Sequence, residues 1–157
     1  MESKPKDHDI PLPARFGQSM GIASQLYSEL ITRLLEPEGL TYPQFMVLLH
    51  LARRHDSTRV SDIVRAVNLT QSAVTKIVQK FRTLGWLTTR DDTNDHRSRK
   101  VEISPEGRAQ VAAIQRRFGG AFDVLLKDWS NSDLNRFTSD LQKLIGRMEE
   151  MRAAAQP

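Results

Sequence analysis

The sequence predicts a mostly α (α+β) fold: a small helix-turn-helix lobe with a two-stranded hairpin, flanked by longer N- and C-terminal helices. Three observations carry this. Apolar residues recur at steps of three and four through several separate segments, the period of an amphipathic helix. Two of those segments are separated by Asn68 and Leu69 alone, so the helices they form must turn sharply on one another. Two short runs rich in Leu, Val, Ile and Thr, at 87–90 and 100–104, bracket a stretch with scarcely an apolar atom.

The elements follow in order. Residues 1–13 hold three prolines and read as a mobile arm. Phe16, Met20, Ala23, Tyr27, Leu30 and Leu34 then mark one face of a helix over about 13–35, which stops at Pro37 and Gly39. Thr41 and Gln44 form a capping-box pattern, and Leu40 and Phe45 are spaced for a hydrophobic staple. Together they start a second helix that runs to about Arg54.

A short helix presents Val60, Ile63, Val64 and Val67; its first residue follows Arg59, so the cap is open between Arg59, Thr58 and Ser61. Thr70 caps the next helix, whose buried stripe is Val74, Ile77, Val78, Phe81 and Leu84, and Gly85 ends it. After the two strands, Ser104 caps and Pro105 begins a helix to about Lys127. Ser130 and Asp133 start the last helix, where Leu134, Phe137, Leu141, Leu144, Met148 and Met151 step by three and four.

Charge is unevenly spread. The chain of 157 residues carries a net +4, but residues 53–108 hold 12 Lys and Arg against 7 Asp and Glu, and the remainder 11 against 12. A basic centre between near-neutral ends suits a polyanionic partner for the centre and a different task for the ends. In a helix-turn-helix the second helix enters the major groove of DNA. Its exposed face here carries Gln71, Ser72, Thr75, Lys76 and Gln79, none of them acidic, which reads as a DNA-binding surface.

The stretch "RDDTNDHRSRK" (90–100) admits three readings. As a calcium loop it fails, because His96 stands where the sharp turn requires glycine, and Arg97, Arg99 and Lys100 would crowd the ion with like charge. A solvated hairpin tip is the plain alternative. Beside a recognition helix, however, Arg97, Arg99 and Lys100 are placed to reach phosphates or a minor groove, which makes the hairpin a wing.

Other functions find no support. Without cysteine there is no disulfide, thiolate metal site or thiol switch. His8, His50, His55 and His96 lack ligand spacing, and no phosphate loop or nucleophile elbow occurs, so no metal, cofactor or catalytic site is expected and the chain does not read as an enzyme. No segment resembles a signal peptide or membrane span, so a cytoplasmic protein without membrane association is expected.

The segments "VNLTQSAVTKIVQKFRTLGWL" and "RDDTNDHRSRKVEISPEG" resemble the MarR family of winged helix-turn-helix transcription regulators. The second carries that family's wing pattern, D-x-R-S followed by alternating apolar residues and Ser/Thr-x-x-Gly, filled by Asp95, Arg97, Ser98, Val101, Ile103, Ser104 and Gly107.

The resemblance implies a single domain over 14–157: a winged lobe at 41–103, and helices at 14–36 and 104–153 that interlock in a homodimer, with Leu134, Phe137, Leu141, Leu144 and Met148 at the interface. It implies a near-palindromic double-stranded operator, with Arg97 entering the minor groove and Asp95 steadying the wing through an arginine. Ser72, Thr75 and Lys76 fall at its base- and phosphate-facing positions. It further implies repression relieved by a small aromatic or anionic effector, for which Tyr27, Tyr42, Phe45, His50 and Phe118 are the candidate contacts. A winged helix that binds protein or RNA instead is the alternative.

Overall fold

The computed structural model describes residues 10–92 and 95–155, and for 91, 92 and 95–99 it describes the backbone. The side chains of Asp95, Arg97 and Arg99, and residues 1–9 of the expected arm, lie outside the described residues. The order is α1 (Leu12–Leu35), a 3₁₀ turn (Glu36–Glu38), α2 (Tyr42–Ala52), β1 (Thr58–Arg59), α3 (Val60–Val67), α4 (Gln71–Thr83), β2 (Leu87–Asp92), β3 (Asp95–Ile103), α5 (Pro105–Leu125) and α6 (Asn131–Ala154). The chain falls into two compact units that divide between Phe118 and Gly119, within α5.

The first unit is built around a core of Leu35, Val47, Leu48, Leu51, Ile63, Val74, Phe81, Val101 and Ile114, all fully buried. Each helix begins as local chemistry dictates. The Thr41 backbone N–H donates to Gln44 Oε1 at 3.2 Å, and Thr41 Oγ1 accepts from the Gln44 N–H at 3.5 Å, closing the expected capping box. Thr70 Oγ1 accepts from the Ala73 N–H at 3.2 Å. Arg59 precedes α3 with no side-chain cap bond, so neither Thr58 nor Ser61 takes that role. Between α3 and α4 the chain turns on Asn68, whose φ of 52° is the one positive value among described non-glycine residues.

The two strands of the hairpin are joined by a third that the sequence did not reveal: β1 pairs antiparallel with β3 (Thr58 opposite Val101, Arg59 opposite Lys100), giving the order β1-β3-β2. The hairpin strands β2 and β3 also extend well beyond 87–90 and 100–104 towards its tip. Leu84 is not in the buried stripe but 46% exposed, because α4 ends at Thr83. Gly85, at φ +73°, turns the chain there: its N–H reaches Arg82 O at 3.0 Å and the Trp86 N–H reaches Phe81 O at 2.8 Å. That is a Schellman closure, and its apolar contact is Trp86 on Phe81, ring centroids 5.5 Å apart, in the place expected for Leu84.

The base of the hairpin is locked to α5. Ser104 donates its N–H to Trp86 O at 3.0 Å and its hydroxyl to Gly85 O at 2.7 Å, while its oxygen caps α5 by accepting from the Gly107 N–H at 3.0 Å. Position 107 admits no side chain: a Cβ there would stand 2.3 Å from Trp86 O and 2.8 Å from Ile103 Cγ1.

In the second unit Ser130 caps α6 as expected, accepting from the Asp133 N–H at 3.1 Å. Trp129 and Phe137 meet edge to face at 5.3 Å. No residue of α6 is buried, and Phe137 (52%), Met148 (57%) and Met151 (72%) are openly exposed.

Candidate nucleic-acid interface

The residues singled out on α4 share one exposed face: Gln71, Ser72, Thr75, Lys76 and Gln79 are all accessible, opposite the buried Val74, Ile77, Val78 and Phe81. The first turn holds no acidic residue, so the positive end of the helix dipole is unopposed there. Thr75 donates its hydroxyl hydrogen to Gln71 O at 2.8 Å. What it offers outward is therefore a methyl group and oxygen lone pairs, not a donor.

The cations of the lobe divide into two groups. Lys80 Nζ donates to Gly39 O at 2.9 Å and to Gln44 Oε1 at 3.0 Å, tying α4 to the capped start of α2. Arg108 closes the end of α2 through Ala52 O at 2.9 Å and Arg54 O at 3.1 Å. Arg65 pairs with Asp62, and Arg90 with Glu102 across the hairpin. On α4, by contrast, the side chains of Lys76 and Arg82 have neither ion pair nor hydrogen bond among the described residues. The charge count in the sequence could not make this division, because partners such as Gly39 O and Ala52 O are distant backbone carbonyls.

In the sheet, Lys100 of β3 stands in register with Arg59 on one side and Arg90 on the other. Val101, one residue on, is buried, so strand alternation turns this basic row to the opposite face. The expected contacts of Arg97 and Arg99, and the support from Asp95, lie outside the described side chains.

The residues nominated for an effector are dispersed in environment. Phe45 is core, and Phe118 lies against it with ring centroids 5.4 Å apart. Tyr27 and Tyr42 are each about half exposed; burial, then the neighbouring Tyr42, raises the Tyr27 phenol above its usual range. His50 Nε2 is buried and without a hydrogen-bond partner among the described residues. Burial, then Arg54 and Arg53, lowers its pKa below the usual value. Among the described residues no cluster of His, Asp and Glu could hold a metal ion, and no helix is long and apolar enough to cross a membrane.

An exposed polar recognition helix packed beside a three-stranded winged sheet is a geometry shared with known proteins. Residues 38–98 match the MarR family model. Over those residues the lobe is similar to the MarR family. Two regulators are similar over most of the chain: the transcriptional activatory protein BadR of Rhodopseudomonas palustris, 28% identical over 123 residues (76% of this chain, 70% of BadR), and the transcriptional repressor MprA of Escherichia coli K12, 20% identical over 120 residues (76% and 68%).

The MarR fold extends beyond the matched segment. A solved MarR family transcription regulator superposes with a TM-score of 0.79 at 17% identity, covering 95% of this chain and 97% of its own. MepR of Staphylococcus aureus, solved as a MepR–DNA complex, gives 0.71 at 18% identity, covering 84% and 97%.

Proposed function

We propose that the protein is a sequence-specific, double-stranded DNA-binding transcription regulator acting as a homodimer, most simply a repressor released by a small aromatic or anionic effector. The observation that carries this is the acid-free exposed face of α4, Gln71 to Gln79, beside a hairpin whose second strand carries Arg97, Arg99 and Lys100 in sequence. Gln71, Ser72, Thr75, Lys76 and Gln79 read base edges and phosphates in the major groove; Arg97, Arg99 and Lys100 serve the wing.

Dimerisation is supported by the apolar surface on each terminal helix: Phe16, Ile22, Leu26 and Tyr27 on α1, and Phe137, Ile145, Met148 and Met151 on α6. Large side chains at that density on a helix face mark an interaction surface. Two recognition helices in such a dimer would address half-sites roughly 34 Å apart. BadR is named as an activator and MprA as a repressor, so run-off transcription with and without the protein decides the sign. Tyr27, Tyr42, Phe45, His50 and Phe118 are the residues at which an effector would act.

The test is fluorescence anisotropy against duplex from upstream of the protein's own gene and a scrambled duplex, across a salt series. Preferential binding that weakens by roughly 10³-fold between 50 and 200 mM salt is expected for a protein making six or more phosphate contacts. Weak, salt-insensitive binding to both duplexes would sink the DNA reading and favour a winged helix that binds protein or RNA.

A further inference from the structure

Between the inner face of the sheet and the side of α4 lies a narrow cleft of about 80 Å³, floored by Val78 and Val101 and rimmed by Thr75, Gln79, Arg82 and Thr89. Thr75, Gln79 and Arg82 follow one another at spacings of four and three, a single row along the helix. Its last member is exposed, and its guanidinium is bonded to nothing among the described residues, unlike the Lys80 ammonium two positions earlier.

We infer that this crease is a binding site for a backbone phosphate of duplex DNA, with Arg82 as its cationic anchor and the Thr89 hydroxyl as a second donor. The inference rests on the DNA-binding reading above. A recognition helix in the major groove and a wing in the adjacent minor groove are separated by one sugar–phosphate strand, which must cross the junction of helix and wing. The crease is that junction. An uncommitted guanidinium there meets phosphate oxygens it can bind through two parallel N–H groups, and the contact carries no sequence information.

The site is tested with Arg82→Ala and Arg82→Lys in the full-length chain, and Arg116→Ala as an exposed control, titrated by anisotropy with upstream and scrambled duplexes across a salt series. Arg82 supports nothing in the fold, so all variants should match the wild-type circular dichroism and melting curve. Arg82→Ala should weaken both duplexes by the same factor, about 3- to 10-fold, and lower the salt slope by about one. Arg82→Lys should restore most of the slope but not all of the affinity, and Arg116→Ala should change neither.

An unchanged slope for Arg82→Ala, with wild type binding normally, would overturn the phosphate site while leaving the DNA reading intact. A loss confined to the upstream duplex would also overturn it, by making Arg82 a base contact. Wild-type protein that binds neither duplex would overturn both readings.

Discussion

Arg117 of α5 holds Glu38 through two parallel hydrogen bonds, Nη1 to Oε2 at 2.7 Å and Nη2 to Oε1 at 2.8 Å, with Nη1 also donating to Leu34 O at 2.7 Å. The pair joins residues 79 apart and places a cation at the carbonyl end of α1. Glu38 is only 10% exposed, and the hydrogen bonds from Arg117 hold its carboxyl below the usual range.

Removing Glu38's charge should therefore destabilise the fold. Glu38→Gln is expected to cost about 1–2 kcal/mol at neutral pH, read by urea denaturation. Because the folded pKa lies below the unfolded one, the carboxylate's contribution is complete above the usual Glu pKa, near 4.5, and is lost as pH falls through the lower folded value. The gap between wild type and Glu38→Gln should close on acidification. A gap that persists unchanged at pH 3 would show that the charge is not its origin.

Gly107→Ala should be more damaging than any surface change. Its methyl would collide with the backbone oxygen of Trp86, which Ser104 already holds in place by hydrogen bond. Overpacking against an atom that cannot swing away is expected to cost about 2–3 kcal/mol and to lower the thermal midpoint by several degrees. Gly120→Ala in the same helix meets nothing within 4 Å and should be neutral or mildly stabilising. Equal effects from the two substitutions would refute the steric account.

These two sites mark what was legible in the sequence and what was not. Position 107 was visible as part of Ser-x-x-Gly, yet its reason, the approach of Trp86, is a contact between an αL turn and a helix start that no local pattern encodes. The helix starts at Thr41, Thr70, Ser104 and Ser130 were legible because a cap is a bond between residues three apart. Strand β1 was not, because two residues show no alternation and their partner lies some forty positions on. Arg108, Arg117 and Lys80 look in sequence like solvated charges; their work is to close distant helix ends and turns. Gln71 to Gln79 were legible as a face, but not that Thr75 spends its hydroxyl hydrogen within the helix.

That last detail makes a prediction about specificity. Because Thr75 already donates to Gln71 O, its outward surface is largely apolar, suited to a thymine methyl. Thr75→Val should leave affinity for the upstream duplex within about 3-fold, while Thr75→Asp, which sets a carboxylate among phosphates, should abolish it. A loss of 10-fold or more for Thr75→Val would mean that the hydroxyl oxygen itself accepts a hydrogen bond from a base.

The dimer is best tested where the protomer does not need the residue. Leu134, Leu141 and Leu144 are partly covered within the chain, so charging them confounds folding with assembly, and Phe137 supports Trp129. Met148 is 57% exposed on the same stripe. Met148→Asp should leave helicity unchanged, but in an interface it would bury an unpaired carboxylate, a cost of several kcal/mol incurred twice in a symmetric contact. Sedimentation velocity at micromolar concentration should show wild-type dimer and a variant shifted towards monomer. DNA affinity should fall with it, since each protomer would then hold one half-site alone. A Met148→Asp protein that sediments as wild type would place the self-association surface elsewhere than on this face of α6.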